Sequence, residues 1–275
     1  MKLPRTLLTS CVGLFVIGVL LSPATAQSPQ DRSSSLTPLQ LEIEKQRVRL
    51  SSPEVEDRRD AISRLASMRH PAASRAAQAG LKDQLPIIRA TSVTAILWMP
   101  AEESAANLLP LLSDKDEFVR RETAYALGTT RSITAVTSLV ELLQNDKVDE
   151  VRGAAAVSLG KISSDRAVGP LINVLTGQTE QTKKKKAKRE QNPFVLRSAA
   201  RALGQIRSRA ALPVLLTTLQ DEKLEDDLRR EAAIALGTIG DHSAIPALQN
   251  VTSARDPHLA VAADTAIKSI MMGSK

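Results

Sequence analysis

Apolar and small residues return along this chain at helical spacing, and the helical block itself then returns at a longer period. Val119, Thr123, Ala126 and Leu127 share one side of a 3.6-residue helix, with Arg120, Arg121 and Glu122 off it. The block 119–128 recurs at 151–160, 195–204 and 228–237, with weaker copies at 57–66, 88–97 and 259–268. Its penultimate position gives Leu65, Ile96, Leu127, Leu159, Leu203, Leu236 and Ile267, at steps of 31, 31, 32, 44, 33 and 31 residues. A near-constant period in this range predicts stacked units, each burying its apolar face on its neighbours.

Each unit reads as two helices. Val136, Leu139, Val140, Leu142 and Leu143 mark a second helix in the third unit. Pro170-Leu171-Ile172 and Pro213-Val214-Leu215 are counterparts, with proline tolerated in a first turn. Asp114 is expected to cap the first helix, with Glu117 as its capping-box partner. Gly128, Gly160, Gly204 and Gly237 are expected to end their helices. Ala124, Ala156, Ala200 and Ala233 let helices approach closely.

On the core Val-Arg-x-x-x-Ala-x-x-Leu-Gly and its preceding Asp, the chain resembles HEAT-like repeats of the phycobilisome-lyase type, from about Pro53 to the C-terminus. The resemblance implies an all-α solenoid of about seven helix pairs. Such repeats occur in bilin lyase subunits, deoxyhypusine hydroxylases and scaffolding proteins, so the fold does not select an activity. The hydroxylases carry paired His-Glu metal ligands, and this chain has no His-Glu dipeptide, which argues against a di-iron hydroxylase. A bilin lyase or a pigment-attachment accessory factor remains the alternative to a scaffold. Those lyases work in the cytoplasm, whereas this chain begins like an exported one.

Lys2 and Arg5 precede an uncharged stretch over 7–21, and Ser22-Pro23-Ala24-Thr25-Ala26 supplies a small-x-small site. That order reads as a secretory signal peptide over 1–26, cleaved between Ala26 and Gln27, with a periplasmic or extracellular product. Fifteen uncharged residues are short of the roughly 18 to 20 that span a bilayer, so the mature form is expected to carry no transmembrane segment. Residues 27–36 read as a disordered lead-in. Residues 37–52 read as an N-terminal capping helix with Leu39, Leu41, Ile43 and Val48. Residues 53–275 form the repeats, closed by Ile267, Ile270 and Met271.

Composition narrows the chemistry. The one cysteine, Cys11, lies inside the signal, so the mature chain has no disulfide, thiolate nucleophile or cysteine-based metal site. Aromatic content is 2%, which suits an alanine- and leucine-packed helical core. The histidines are His70, His242 and His258; Asp241-His242 and Asp256-Pro257-His258 read as turn and capping residues, since a metal needs three or four converging ligands. No Gly-rich phosphate loop or Gly-x-Ser-x-Gly elbow is present. No cofactor is expected.

The long step places an insertion at 177–193, containing Lys183, Lys184, Lys185, Lys186, Lys188 and Arg189. The chain carries +7; without Lys2 and Arg5 this falls to +5, and without the six insertion residues to −1. The basic balance of the mature chain therefore lies in one loop. Two readings stay open, a solvated segment that like charges extend and a contact for an acidic ligand or anionic surface. Nucleic acid is disfavoured, because no aromatic residue interleaves with the lysines.

Two further features bear on binding. Arg120, Arg121, Arg152, Arg197, Arg229 and Arg230 stand near the starts of first helices, and pairing with acids of the neighbouring unit is favoured over an anion-binding ladder. Trp98, the one tryptophan, breaks the Leu-Gly ending of its unit; core packing is favoured over an exposed anchor. The expected partner is a protein held on the face of the second helices.

Overall fold

The computed structural model describes residues 36–177 and 192–273. The expected signal, most of the lead-in and the basic run 183–189 lie outside the described residues. The chain divides into two compact units, 1–41 and 42–275. In the first, Thr37 and Gln40 close the opening turn of a helix, with the Gln40 Oε1 accepting the Thr37 N–H at 2.8 Å.

Among the described residues there are fourteen α-helices and no strand. The first is α1 (Pro38–Arg49). Within the second unit, Ile43 and Gln46 of α1 are buried. First helices of the repeats are α2 (Val55–Ser67), α4 (Pro86–Ala95), α6 (Glu117–Thr130), α8 (Asp149–Ile162), α10 (Pro193–Ile206), α12 (Asp226–Ile239) and α14 (Pro257–Met272). Second helices are α3 (Pro71–Ala77), α5 (Ala101–Leu108), α7 (Val136–Asn145), α9 (Val168–Thr176), α11 (Leu212–Gln220) and α13 (Ile245–Asn250). Each first helix packs on the next, from α2 on α4 through to α12 on α14. The result is an all-α solenoid of seven units, the seventh represented by α14.

The periodic anchors are the centre of the core. Leu65, Ile96, Leu127, Leu159, Leu203 and Leu236 have no exposed surface, and only Ile267 in the last unit is partly exposed. Full burial of such a side chain contributes about 1.5–3 kcal/mol, so the repeating position adds cohesion in each of those units. A second buried series precedes each second helix: Ala135, Ala167, Ala211 and Ala244 sit in short 3₁₀ turns with no exposed surface.

Two local expectations need correction. The glycines do not end their helices. Helices α6, α8, α10 and α12 continue past Gly128, Gly160, Gly204 and Gly237 and stop on left-handed residues Arg131, Ser163, Arg207 and Gly240. The glycines instead mark where the next first helix crosses: a Cβ on Gly204 would lie 2.7 Å from the Cα of Ala235, and one on Gly237 2.7 Å from that of Ala266. Nor does Asp114 cap α6. The cap is Asp116, whose side chain accepts from the N–H groups of Phe118 and Val119. Asp114 is committed elsewhere, to an arginine of the preceding first helix.

Candidate binding groove

That commitment repeats. Arg89 donates from Nε and Nη2 to the Asp114 carboxylate at 2.7 and 2.6 Å, while its Nη1 reaches the carbonyls of Asp83 and Gln84. Arg58 grips Asp83, and Arg120 grips Asp146, in the same forked way. Each aspartate also accepts a backbone N–H two residues on, at Leu85, Asp116 and Val148. One guanidinium thus staples the start of a first helix, the turn before it and the end of its own unit's second helix. Burial works to raise the Asp114 carboxyl; the Arg89 guanidinium and the Asp116 N–H outweigh it and hold it below its ordinary value. Asp83 and Asp146 are lowered against the same opposition, by Arg58 and Arg120 respectively.

The other expected arginines divide. Arg197 reaches Asp227 of the next first helix at 3.0 Å, which is the neighbouring-unit pairing. Arg121 instead bonds to the adjacent Glu122 and lies 4.9 Å from the Phe118 ring centre. Arg152 pairs with Asp149 at 2.8 Å, Arg229 with Asp226 at 2.8 Å and Arg230 with Asp227 at 2.8 Å, each within its own helix. Arg121, Arg229 and Arg230 therefore differ from the cross-unit expectation, because an acid three residues earlier or next in sequence is within easier reach than one in the next helix, and Arg120 differs because its Asp146 belongs to its own unit. A further cross-unit pair, Arg201 with Glu231, was not anticipated.

With these cations engaged, grooves remain between second helices and also between first helices, where one of about 430 Å³ separates α12 from α14. A groove of about 780 Å³ runs between the end of the second unit's second helix and α7. Leu109, Leu112 and Leu142 form its floor, and Ser138, Glu141, Asn145 and Lys147 its rim. Glu141, Asn145 and Lys147 are exposed and make no side-chain hydrogen bond or ion pair among the described residues. A smaller groove of about 360 Å³ lies between α9 and α11. The expectation of a buried Trp98 fails: it is 46% exposed, with the Arg69 guanidinium 5.7 Å above its ring, and Met99 turns inward instead. His70 caps α3 through its Nδ1, which accepts the Ala72 N–H at 3.1 Å. No three His, Cys, Asp or Glu side chains gather as a metal site among the described residues. None of the described helices is long and apolar enough to cross a membrane.

A family model described as HEAT repeats matches at 44–128, 77–160, 106–187 and 181–270. The chain belongs to the HEAT-repeat family. Among solved structures, this HEAT-repeat chain is similar to the complex of CpcE and CpcF of phycocyanin lyase from Nostoc sp., at 22% identity and a TM-score of 0.50, over 92% of this chain and 99% of that one. At that identity the likeness is one of fold. Deoxyhypusine hydroxylase of Gallus gallus is 47% identical over 60 residues, 22% of this chain and 19% of the relative. The Bos taurus hydroxylase is 43% identical over 63 residues, 23% of this chain and 20% of the relative. The HEAT-repeat chain therefore matches about a fifth of the length of these curated relatives.

Proposed function

We propose that this HEAT-repeat protein is a non-catalytic scaffold that acts after export and holds a protein partner across the grooves of its second helices. The observation that carries the reading is the division of labour among its polar groups. The forked arginines are committed to their aspartates, Arg120 to Asp146 even where both line the groove, while Glu141, Asn145 and Lys147 face it without partners of their own among the described residues. The apolar floor of Leu109, Leu112 and Leu142 gives such a groove contact area, and its rim gives direction. The basic run 183–189 adds attraction to an acidic ligand or anionic surface.

Position-resolved photocrosslinking tests this. A benzophenone amino acid at Glu141 or Asn145, introduced in the native host, should give one discrete adduct that the same probe at Thr129 does not. Adducts equal at all three positions would remove the groove reading. Intact mass of the mature product tests export: a species beginning at Gln27 supports it, and one retaining Met1 in the cytoplasm overturns it. A bilin absorbance band on the purified chain would move the assignment to pigment attachment.

A further inference from the structure

The staple is missing one half in the fifth unit. Counting seven residues back from each anchor gives Arg58, Arg89, Arg120, Arg152 and Arg229, but Leu196 in α10 and Ala260 in the terminal helix α14. The aspartate survives. Asp221 closes α11 as Asp146 closes α7, and its Oδ1 accepts the Lys223 N–H at 3.0 Å, as Asp146 accepts that of Val148 at 2.9 Å. Asp146 is then gripped by Arg120 at 2.7 Å, whereas Asp221 has no ion-pair partner among the described residues. Asp221 lines the groove of about 360 Å³ between α9 and α11, whose walls are Ile172, Leu175, Val214 and Leu224.

We propose that this groove receives an arginine side chain from the protein partner. The guanidinium takes the place that Arg120 holds two units earlier, on the Asp221 carboxylate. The aliphatic stem lies along Ile172, Val214 and Leu224. The chain itself supplies the precedent three times over, in Asp83, Asp114 and Asp146. Charge is complementary: Glu222 and Glu225 of the same turn make no ion pair among the described residues, against Lys223 and against Arg229, which is engaged by the Leu219 carbonyl and Asp226. The walls are apolar apart from Thr176, Thr217 and Thr218, whose hydroxyls already donate to the carbonyls of Ile172, Pro213 and Val214. A forked donor suits a carboxylate at the end of an apolar slot better than an ammonium does. This inference rests on the scaffold reading and names the chemistry of what the second-helix face takes.

The test is a titration of the purified full chain with a labelled peptide Ala-Leu-Arg-Leu-Ala and its neutral citrulline counterpart, read by fluorescence anisotropy. The arginine peptide should bind at least about tenfold more tightly than the citrulline one, the difference expected for a charge-assisted hydrogen bond. Asp221→Asn, which keeps an acceptor for the Lys223 N–H, should erase that difference. Leu196→Arg should install the missing staple and abolish binding, with circular dichroism showing the helices intact. Equal affinity for the two peptides, no binding at millimolar concentrations, or an Asp221→Asn variant that still discriminates would overturn the proposal. So would tighter peptide binding when the six basic residues of 183–189 are made neutral, since the occupant would then be the chain's own segment. A photocrosslink at Glu141 that persists in Leu196→Arg would show the scaffold reading standing while this one falls.

Discussion

The first three units and the fifth solve the same joint differently. In units one to three an arginine and an aspartate, 25 or 26 residues apart, lock the unit's two helices to the turn that precedes the first of them. In the fifth unit Leu196 replaces the arginine, and the cross-helix pairing passes to Arg197 with Asp227 and Arg201 with Glu231. The difference is one of solvent. Arg89 and Asp114 retain 8% and 11% of their side-chain surface, whereas Arg197 and Asp227 retain 33% and 47%. A forked pair shielded from water holds geometry; an exposed one mostly does not. The half of the solenoid beyond the insertion is therefore expected to open more readily than the half before it.

The largest effect tests that contrast directly. Arg89→Ala leaves a shielded carboxylate without its partner and should cost about 3–5 kcal/mol in urea unfolding. Arg197→Ala should cost no more than about 1 kcal/mol, as exposed pairs do. Equal losses would break the comparison.

Glycine substitution sharpens it next. Gly204→Ala puts a methyl group against the backbone of Ala235 and should cost about 1–3 kcal/mol by overpacking, seen as a lowered unfolding midpoint. Gly169→Ala in α9 meets nothing within 4 Å and should be neutral or mildly stabilising. Reversal of that order would mean that these glycines serve helix termination after all.

Acid provides a third test. The carboxyls of Asp83, Asp114 and Asp146 titrate below their ordinary value near 3.8. The unfolded chain then binds more protons than the folded one in that window, so stability rises with pH. The staples' contribution is complete above the ordinary aspartate range and is lost as pH falls through the lowered folded values. Hydrogen exchange followed down in pH should show units one to three losing protection relative to units five and six. Parallel loss across the chain would assign acid sensitivity to other groups.

The architecture was legible because its cause is periodic. One buried aliphatic position per unit recurs at a fixed step, and a single chain displays that without any structure. The staples were not legible, because Asp114 precedes a helix at nearly the spacing of a cap. Only the arginine 25 residues earlier distinguishes an acceptor from a cap, and sequence distance hides it. The glycines misled for a related reason. A glycine near a helix end signals termination or a close crossing, and the two are separated only by what lies across the groove, here Ala235 or Ala266. Of the candidate site, the face of second helices was legible from their apolar spacing, but the unpaired Asp221 emerges only when the units are compared joint by joint.

The smallest effect concerns Trp98. The usual burial of large aromatic side chains argued for the core, yet Met99 turns inward while the indole faces solvent under Arg69. The stacking with Arg69 is worth about 0.5–1 kcal/mol at an exposed site, so Trp98→Ala should shift the unfolding midpoint only slightly. A larger loss would mean that the ring supports the second unit after all. If stability barely changes but the photocrosslinked adduct at Glu141 weakens, the aromatic ring belongs to the binding surface. The contact would then extend from the second-helix grooves to the turn between α4 and α5, the one place in the repeats where a tryptophan faces water.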